Sequence, residues 1–291
     1  HGTRKPAKRQ GTQMFQKICG TQQLKNMSTI LEEICAHKRM ELDRTKETVS
    51  PRELYRKVER IMVDNGAATA SLSKALADSP TGIIAEFKRK SPSKGWIHQD
   101  ANPISITPSY QKAGATALSI LTDKEYFGGS LDDIRSSRPL VNIPILRKEF
   151  IVDEYQIFEA KEVGADAILL IAACLTPEQC RGFAHTARQL NLETLLEIHS
   201  KQELDYLTPD INVVGVNNRN LHVFKTDIKT SSELAHEIPE EFVKISESGL
   251  STPEDIKSLR LCGYRGFLIG GHFMKSPDPA SELRTLVNAL Q

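Results

Sequence analysis

The sequence of 291 residues predicts an α/β fold, a (β/α)8 TIM barrel with an N-terminal helical extension. Two observations predict it. Eight short apolar segments rich in β-branched residues recur between Ile83 and Ile269, and a segment with helical spacing follows each of them. Several of these helical segments end in an Ala/Gly pair, which is typical of a helix C-cap. Eight such units fit the barrel better than a doubly wound open sheet, because no GxGxxG motif follows the first strand.

The eight units are assigned in order along the chain. The predicted strands are Ile83–Phe87, Ala117–Leu121, Ile143–Lys148, Ala167–Ile171, Glu193–Ile198, Val213–Asn217, Phe242–Glu247 and Gly266–Ile269. The predicted helices that follow them are Ile104–Ala113, Leu131–Ser137, Glu154–Val163, Pro177–Leu190, Lys201–Leu207, Ile228–Glu237, Pro253–Leu261 and Pro279–Leu290.

A helix is also predicted well before the first strand, from Thr29 to about Thr45. Ser28 is a suitable N-cap for it, because its hydroxyl can accept a hydrogen bond from a free backbone N–H of the first turn. Apolar residues that include Ile34, Met40 and Leu42 form the stripe expected to face the core, and the Lys and Glu residues are expected to face solvent.

A second N-terminal helix is predicted to open at Ser50, with Pro51 in its first turn. Both helices precede every strand, so we expect an added helical segment over residues 27–65 within one barrel domain that spans 27–291. Residues 1–26 contain six Lys or Arg, no acid and no apolar periodicity. They are expected to form a disordered or non-native basic arm outside the fold.

The composition argues against several classes of function. With 39% hydrophobic and 26% charged residues, the chain is expected to be globular, and it holds no apolar run of the roughly 18 residues that a membrane span needs. Its five cysteines form no CxxC pair, which indicates reduced thiols in a cytoplasmic protein. We therefore expect no membrane, metal or nucleic-acid partner; a nucleic-acid role would depend on the basic arm alone.

The first predicted strand and its loop have the character of one edge of an active site. Apolar residues alternate with Glu86 and Lys88, so these two side chains are expected to lie on the same side of the strand. Ser91 and Pro92 begin the loop. In a barrel the reactive groups lie at the carboxyl ends of the strands. A strand with a solvated, charged end is the alternative.

Charged and amide side chains also end other predicted strands. Lys148 ends the third, Glu197 lies at the end of the fifth and Glu247 ends the seventh. Charges this close shift one another's pKa, which acid–base catalysis needs, although an ion-pair network serving only stability is the alternative. Asn217 and Arg219, at the sixth strand, suit hydroxyls and a carboxylate; Arg219 could equally bind a structural carboxylate.

The loops after the last two strands carry the pairs Ser248-Gly249 and Gly270-Gly271. Glycine lets backbone N–H groups approach an anion, and a short helical turn after the second pair would add its N-terminal dipole. The sequence therefore predicts a phosphate site here, the usual position in this barrel, with plain tight turns as the alternative.

Four aromatic or imidazole side chains near the strand ends are assigned lesser roles. His199 and His272 have no Ser, Cys or carboxylate partner at a spacing that the sequence reveals, so neither a catalytic triad nor a metal site is expected. Trp96 and Phe150 are expected to cover a ring-bearing ligand, with local core packing as the alternative.

Taken together, these motifs resemble the indole-3-glycerol phosphate synthase family. The resemblance runs from about Met27 to Leu290, and the family's extra N-terminal helices fit Thr29–Asp64. The stretches that carry it are Ile84–Gly95, Leu121–Asp123, Leu146–Ile151, Val214–Leu221 and Ser246–Leu250.

The resemblance implies a reaction and its participants. The sugar-phosphate substrate would be 1-(2-carboxyphenylamino)-1-deoxyribulose 5-phosphate, and the products indole-3-glycerol phosphate, carbon dioxide and water, with no cofactor. Other enzymes of the tryptophan pathway are candidate partners. A neighbouring ammonium is expected to lower the pKa of a buried lysine, which suits an acid near neutral pH.

Residue roles follow from the same resemblance. Lys148 would be the general acid, Lys88 would hold the substrate carboxylate, and Glu197 and Glu86 would share the acid and base roles in dehydration. Asn217 would bind a hydroxyl. Glu247 would orient the lysines. The phosphate cradle would be formed by Ser91, Ser248, Gly249, Gly270 and Gly271. The walls around the aromatic ring would be formed by Phe150, Leu221, Pro92 and Trp96.

One departure from the family's pattern affects the phosphate site. Where the family has a hydroxyl or carboxyl residue and then Ser after the first glycine, this chain has Gly271 and His272. Gly271 still offers its N–H, and His272 is expected to stand in as a cationic donor. The alternative functions are a catalytically silent barrel that binds a phosphate ligand, or another sugar-phosphate isomerase or a Schiff-base aldolase that uses Lys148.

Overall fold

The computed structural model describes residues 29–64, 70–220 and 225–291. Within them, eight parallel strands form a closed barrel in which each strand pairs with the next and the last pairs with the first, so the predicted (β/α)8 barrel is confirmed. Six strands have the predicted bounds; the third and the seventh begin two residues and one residue later, respectively. The strands are β1 Ile83–Phe87, β2 Ala117–Leu121, β3 Ile145–Lys148, β4 Ala167–Ile171, β5 Glu193–Ile198, β6 Val213–Asn217, β7 Val243–Glu247 and β8 Gly266–Ile269.

The predicted helices surround the barrel, and their bounds differ from the predicted ones by a few residues at most. The predicted helical segment after β5 is a 3-10 helix, Lys201–Tyr206, which fits its short length. Two helices, Leu72–Asp78 and Lys124–Phe127, were not predicted. The helices are α1 Ile30–Thr48, α2 Pro51–Asp64, α3 Leu72–Asp78, α4 Pro103–Lys112, α5 Lys124–Phe127, α6 Leu131–Ser137, α7 Tyr155–Glu162, α8 Pro177–Gln189, α9 Lys229–Leu234, α10 Pro253–Leu261 and α11 Pro279–Leu290.

The barrel interior is filled from its amino-terminal end, which leaves the other end open for a site. Leu72 and Leu76 of α3 pack with interior residues of the strands, such as Leu146 and Leu195, and all four are fully buried. Ser71 and the strand residue Glu193 fix this plug, because the Ser71 hydroxyl donates to the Glu193 carboxylate over 2.5 Å.

The N-terminal helix α1 packs against the barrel, but one detail of the predicted stripe is wrong. Met40 is 58% exposed, whereas Lys38, predicted to face solvent, is 2% exposed. Lys38 is buried because carboxylates from the barrel surround its ammonium. Thr29 provides the N-cap, accepting a hydrogen bond from the backbone N–H of Glu32; the predicted cap, Ser28, lies outside the described residues.

Three further predictions concern the basic arm, membrane spans and the cysteines. The basic arm at residues 1–26 lies outside the described residues, so its nature stays a prediction, as does the division into an arm and one domain. In the described part, no helix has the length and apolar character to cross a bilayer. The four cysteines described there, Cys35, Cys174, Cys180 and Cys262, are free thiols.

The backbone turn before β1 generates a stability prediction. Gly82 has a φ of +68°, and a Cβ there would lie 1.9 Å from the carbonyl oxygen of Arg265. We expect Gly82→Ala to lower the free energy of unfolding by about 3 kcal/mol or more, because both the conformation and the space exclude a methyl group. The measurement is urea denaturation followed by circular dichroism.

Gly182 is the matched control, because nothing lies within 4 Å of a Cβ at this position in the middle of α8. Gly182→Ala is expected to stabilise by about 0.5–1 kcal/mol, since alanine is the better helix former. Equal effects of the two substitutions would contradict the role assigned to Gly82.

Candidate active site

A cavity of about 420 Å³ opens at the carboxyl ends of the strands. With the exception of Trp96, every predicted site residue that the structure describes lines it; Leu221 lies outside the described residues. The predicted residues brought together there are Glu86, Lys88, Ser91, Pro92, Lys148, Phe150, Glu197, Asn217, Arg219, Glu247, Ser248, Gly249, Gly270 and Gly271.

Lys148 ends β3 and lies between two buried carboxylates. Its Nζ is 2.8 Å from Glu197 Oε2 and 3.1 Å from Glu247 Oε2. Burial alone would lower the pKa of Lys148, but Glu197 and Glu247, with Glu86 farther away, outweigh it and raise the pKa. The expectation of a lowered pKa is therefore wrong: carboxylates rather than the Lys88 ammonium dominate the surroundings of this lysine.

The two carboxylates that share Lys148 differ in their own surroundings. Glu197 also accepts a hydrogen bond from Asn217 Nδ2 over 3.0 Å. Burial alone would raise the pKa of Glu197, but the positive charges of Lys148 and His199 outweigh burial and lower the pKa, so Glu197 is held as the anion. Burial raises the pKa of Glu247 to about 7, assisted by the negative charges of Glu197 and Glu86 and opposed by Lys148. The three groups thus hold one firm anion, one ammonium and one carboxyl that titrates near neutrality.

His199 lies closer to the chemistry than the sequence indicated. Its Nε2 is 3.5 Å from Glu197 Oε1, on the side of Glu197 away from Lys148. Burial lowers the pKa of His199, but the carboxylates of Glu203 and Glu197 reverse this and raise it. Glu197, two positions before it, and Glu203, four positions after it, are therefore carboxylate partners of His199 that the spacing along the chain did not reveal.

Two glycines make room for the acidic side chains, and the first of them was not among the predicted site residues. A Cβ on Gly215 of β6 would lie 2.3 Å from Glu247 Oε1, and a Cβ on Gly270 would lie 2.4 Å from Glu86 Oε1. Both positions face the crowded interior. A glycine in a buried strand, opposite an acidic strand end, is the signal that could have identified Gly215.

Glu86 and Lys88 form a separate ion pair at the mouth. The Lys88 ammonium lies 2.6 Å from Glu86 Oε1, which confirms that both side chains lie on one side of the strand. Ser119 donates to the other Glu86 oxygen over 3.4 Å. In the described part of the chain Glu247 pairs only with Lys148, so the contacts do not extend its predicted orienting role to Lys88.

Arg219 points toward the loop after β1. Its Nη1 donates to Ser93 Oγ over 3.1 Å, and its Nε is buried without a hydrogen-bond partner among the described residues. No carboxylate of the described residues lies within ion-pair distance, which favours the ligand-binding interpretation over a structural ion pair. The backbone N–H of Arg219 donates to Asn217 Oδ1, so the two predicted donors support each other.

The glycine-rich end of the cavity has the character of an anion site. Ser248 and Gly249 both have positive φ, 69° and 80°, which is uncommon for serine and occurs at strained functional turns. Lys94 and Lys275 also line this end, although neither was among the predicted site residues. Burial and the positive charges of Lys275, Arg219 and Lys88 lower the pKa of Lys94. Repelling cations gathered beside open backbone favour a multiply charged anion.

His272 lines the same end, with its ring 5.7 Å from that of Phe273. Its Nε2 is 3.9 Å from Glu282 Oε2, so its ring is directed in part toward α11. The role of His272 as a replacement for the missing hydroxyl therefore stays a prediction. Two other cationic side chains, Lys94 and Lys275, also line this end. The predicted helical turn is present as the 3-10 helix Phe273–Lys275.

The apolar wall of the cavity differs from the predicted one in part. Phe150 lines it beside Phe127, with ring centroids 5.9 Å apart. Trp96 does not line the cavity: it is 52% exposed and packs against Gly128. The antiparallel pairing of Lys90–Ser91 with Gly95–Trp96 turns its ring outward. Helix α1 supplies the missing apolar side chains through Ile30, Leu31 and Ile34, which only the three-dimensional packing reveals.

Among the described residues, no group of three or more His, Cys, Asp or Glu side chains is arranged to hold a metal ion. What the cavity offers is an ammonium between carboxylates at one point, an apolar wall, and a cationic, glycine-rich end. That arrangement suits a molecule that has an apolar ring at one end and a phosphate at the other. The ammonium and its carboxylates can transfer protons to and from the part of that molecule that joins the two ends.

Comparison with known proteins bears on this interpretation. The family model described as indole-3-glycerol phosphate synthase matches residues 31–286. The chain is 54% identical over 265 residues to the indole-3-glycerol phosphate synthase of Bacteroides thetaiotaomicron, covering 91% of this chain and 100% of that protein. It is 40% identical over 268 residues to the enzyme of the same name from Prochlorococcus marinus, covering 90% of each.

A solved structure shares the fold at low identity. Tryptophan synthase subunit alpha from Legionella pneumophila superposes with a TM-score of 0.56 at 14% identity, covering 77% of this chain and 97% of that one. This likeness concerns the barrel alone.

The raised pKa of Glu247 generates a prediction about stability and pH. A carboxyl whose pKa rises from an ordinary 4.5 to about 7 on folding stabilises the fold fully below pH 4.5, and this contribution is lost as the pH rises through about 7. Glu247→Gln removes the titration. We expect the Tm of this variant, relative to the original protein, to rise by several degrees between pH 5 and pH 8.

The control is Glu240→Gln, at an exposed position. Its Tm difference from the original protein is expected to stay constant over the same pH range. A constant difference for Glu247→Gln as well would mean that Glu247 does not change its charge between pH 5 and pH 8, which would contradict the raised pKa assigned to it.

Proposed function

Because the chain belongs to the indole-3-glycerol phosphate synthase family, the carboxy-lyases of tryptophan biosynthesis, we propose how its cavity performs that reaction. The substrate is 1-(2-carboxyphenylamino)-1-deoxyribulose 5-phosphate, which closes to indole-3-glycerol phosphate with loss of carbon dioxide and water. The observation that carries the proposal is Lys148, an ammonium held between two buried carboxylates beside an apolar wall.

The two ends of the substrate match the two ends of the cavity. The phosphate binds at the glycine-rich end, to the backbone of Ser248, Gly249, Gly270 and Gly271 and to Ser91, with Lys94, Lys275 and Arg219 supplying positive charge. This assignment is supported by the cations that lie together there, since the charges of Lys275 and Arg219 help to lower the pKa of Lys94. The absence of a hydroxyl at Gly271 is offset in this arrangement by lysine side chains.

The aromatic ring binds against Phe150, Pro92 and the apolar residues of α1. Leu221 is assigned to the same wall on the family resemblance alone. Lys88 binds the substrate carboxylate, for which it would leave Glu86, its partner in the free protein. Holding ring and carbonyl in attacking geometry is a large part of catalysis when a ring closes within one molecule.

Lys148 acts as the general acid in ring closure. The ring carbon that bears the carboxylate attacks the ribulose carbonyl carbon, and the carbonyl oxygen takes the Lys148 proton to become a hydroxyl. The bond to the carboxylate then breaks, carbon dioxide leaves, and its electron pair restores the aromatic ring. The raised pKa of Lys148 keeps the proton on the amine until the substrate displaces or neutralises the flanking carboxylates.

Dehydration completes the reaction. The new hydroxyl leaves as water with a proton from an acid, while a base removes a proton so that the second double bond of the pyrrole ring can form. Glu197 and Glu86 are assigned to these roles, because both are buried carboxylates within reach of a lysine. Asn217 binds a substrate hydroxyl, and Glu247 orients Lys148.

The same geometry argues against a Schiff-base aldolase. Imine formation needs a neutral amine, usually obtained by lowering the lysine pKa. The carboxylates around Lys148 raise its pKa instead. For partners and location, the cavity supports a sugar-phosphate ligand; contacts with other tryptophan-pathway enzymes and a cytoplasmic location remain predictions.

The proposal is tested by turnover of the carboxyphenylamino-deoxyribulose phosphate, followed by indole fluorescence. Lys148→Ala is expected to lower kcat by on the order of 100-fold or more, because the proton donor is lost. Binding of indole-3-glycerol phosphate should survive, since the phosphate end is unchanged. The control is Lys257→Ala, an exposed lysine on α10, which is expected to leave turnover intact.

Three other outcomes would each contradict part of this proposal. Full turnover in Lys148→Ala would remove the general acid from the mechanism. Product binding without turnover in the original protein would indicate the catalytically silent barrel. Trapping of an imine on Lys148 by borohydride would indicate the aldolase.

A further inference from the structure

Lys38 of helix α1 is a buried lysine that the mechanism does not use. Its ammonium lies 2.9 Å from Asp123 Oδ2, 3.1 Å from Glu41 Oε2 and 3.3 Å from Glu149 Oε1. The side chains of Lys38, Asp123 and Glu149 are all at most 2% exposed, whereas that of Glu41 is 40% exposed. The helix therefore delivers one positive charge to two carboxylates that belong to the barrel.

These two carboxylates hold the chain at the ends of β2 and β3. Asp123 accepts the backbone N–H of Tyr126 over 2.7 Å and so caps α5. Glu149 accepts the backbone N–H of Phe150 over 2.8 Å with one oxygen and the Thr122 hydroxyl over 2.8 Å with the other. Glu149 directly follows Lys148, so the hydrogen bonds of Glu149 fix the segment that carries both the proposed acid and the apolar wall.

The charge of Lys38 has no substitute in this network. Arg147 is the nearest other cation, with its Nη2 3.6 Å from Glu149 Oε2, but it lies closer to Glu159, at 3.1 Å. Asp123 pairs with no cation except Lys38 among the described residues. Removal of one partner from a buried ion pair leaves an unpaired buried charge, which a protein relieves by taking up a proton or by moving the chain.

Helix α1 also lines the cavity directly, through Ile30, Leu31 and Ile34. These side chains lie on the turns just before Lys38. A shift of the helix would therefore move the apolar wall together with the Lys148–Phe150 segment.

We propose that Lys38 is a positioning residue for the reaction: its ammonium, delivered by the N-terminal helix, neutralises Asp123 and Glu149 and so fixes Lys148 and Phe150 in working geometry. The inference depends on the proposed function of this cavity. It makes the N-terminal extension a working part of the active site, acting at Lys148 through Glu149.

The test is Lys38→Met, which keeps the length of the side chain and removes its charge. We expect kcat/KM to fall on the order of 10- to 100-fold, with most of the loss in kcat, because a displacement of about 1 Å at the acid costs that much. Lys46→Met is the matched control: Lys46 lies on the same helix and pairs with Asp153 at 2.7 Å, but both side chains are partly exposed. Its effect is expected to stay within about twofold.

The pH profile separates positioning by charge from simple loss of packing. The carboxylates that face Lys38 are Glu41 on its own helix, and Asp123 and Glu149 from the barrel. Arg147 contacts Glu149 from the other side, and Tyr126 is the phenol close enough for Lys38 to affect its pKa. When Lys38 is absent, lower pH neutralises the buried carboxylates instead. The kcat of Lys38→Met relative to that of the original protein should therefore rise as the pH falls.

A double variant, Lys38→Met with Asp123→Asn, removes one negative charge along with the positive one. We expect it to recover part of the lost kcat. If Lys38→Met does not fold, the double variant provides the test. Because Glu149 still lacks its partner, the proposal predicts a reduced kcat that rises, relative to that of the original protein, as the pH falls. A kcat equal to that of the original protein at every pH would overturn the proposal.

The remaining outcomes are distinct. Original kcat and KM in a folded Lys38→Met would overturn the proposal, as would a loss of kcat that is the same at every pH and unrelieved in the double variant. If the original protein itself shows no turnover, the proposed function fails first, and the comparison of variants is then made on product binding.

Discussion

The structure depends on one constraint: a single ammonium must satisfy two carboxylates inside the barrel. Lys148 lies within 3.1 Å of both Glu197 and Glu247, and all three side chains are buried or nearly so. An unpaired charge at this depth would be strongly destabilising, so the pairing is enforced by the fold. The carboxylates raise the pKa of Lys148, whereas burial raises the pKa of Glu247 against the opposing charge of Lys148. The same interaction therefore serves stability and stores a proton where the reaction uses one.

The rest of the fold is arranged around this point. Interior leucines and helix α3 close one end of the barrel, which leaves the charged layer at the other. Glycines at 215 and 270 leave the space that the Glu247 and Glu86 side chains occupy. The N-terminal helix brings an apolar wall and, through Lys38, a counter-charge for the carboxylates beside Lys148. The cationic end is separate, so that phosphate binding and proton transfer do not compete for the same lysine.

Much of this was predictable from sequence, because the signals are local. Short apolar runs rich in β-branched residues, several of them preceded by a glycine helix cap, identified all eight strands. The rule that barrel chemistry lies at the strand ends then predicted that Glu86, Lys148 and Glu247 lie together. The predictions that were wrong concern features that depend on contacts between residues far apart in the chain. The burial of Lys38 depends on carboxylates 85 and 111 residues away in the chain. The outward turn of Trp96 depends on a hairpin pairing, and the direction of the Lys148 pKa shift depends on which charges lie nearest, which spacing alone cannot reveal.

Gly215→Ala tests the central claim most directly, because it adds one methyl group and changes no ionisable residue. The added Cβ would meet Glu247 Oε1 at 2.3 Å, so this flexible carboxylate must leave its place beside Lys148. Gly182→Ala, with open space around its Cβ, is the reference. If the shared ammonium governs catalysis, kcat should fall about tenfold or more while the fold and product affinity are kept. An unchanged kcat in a correctly folded Gly215→Ala would contradict the account.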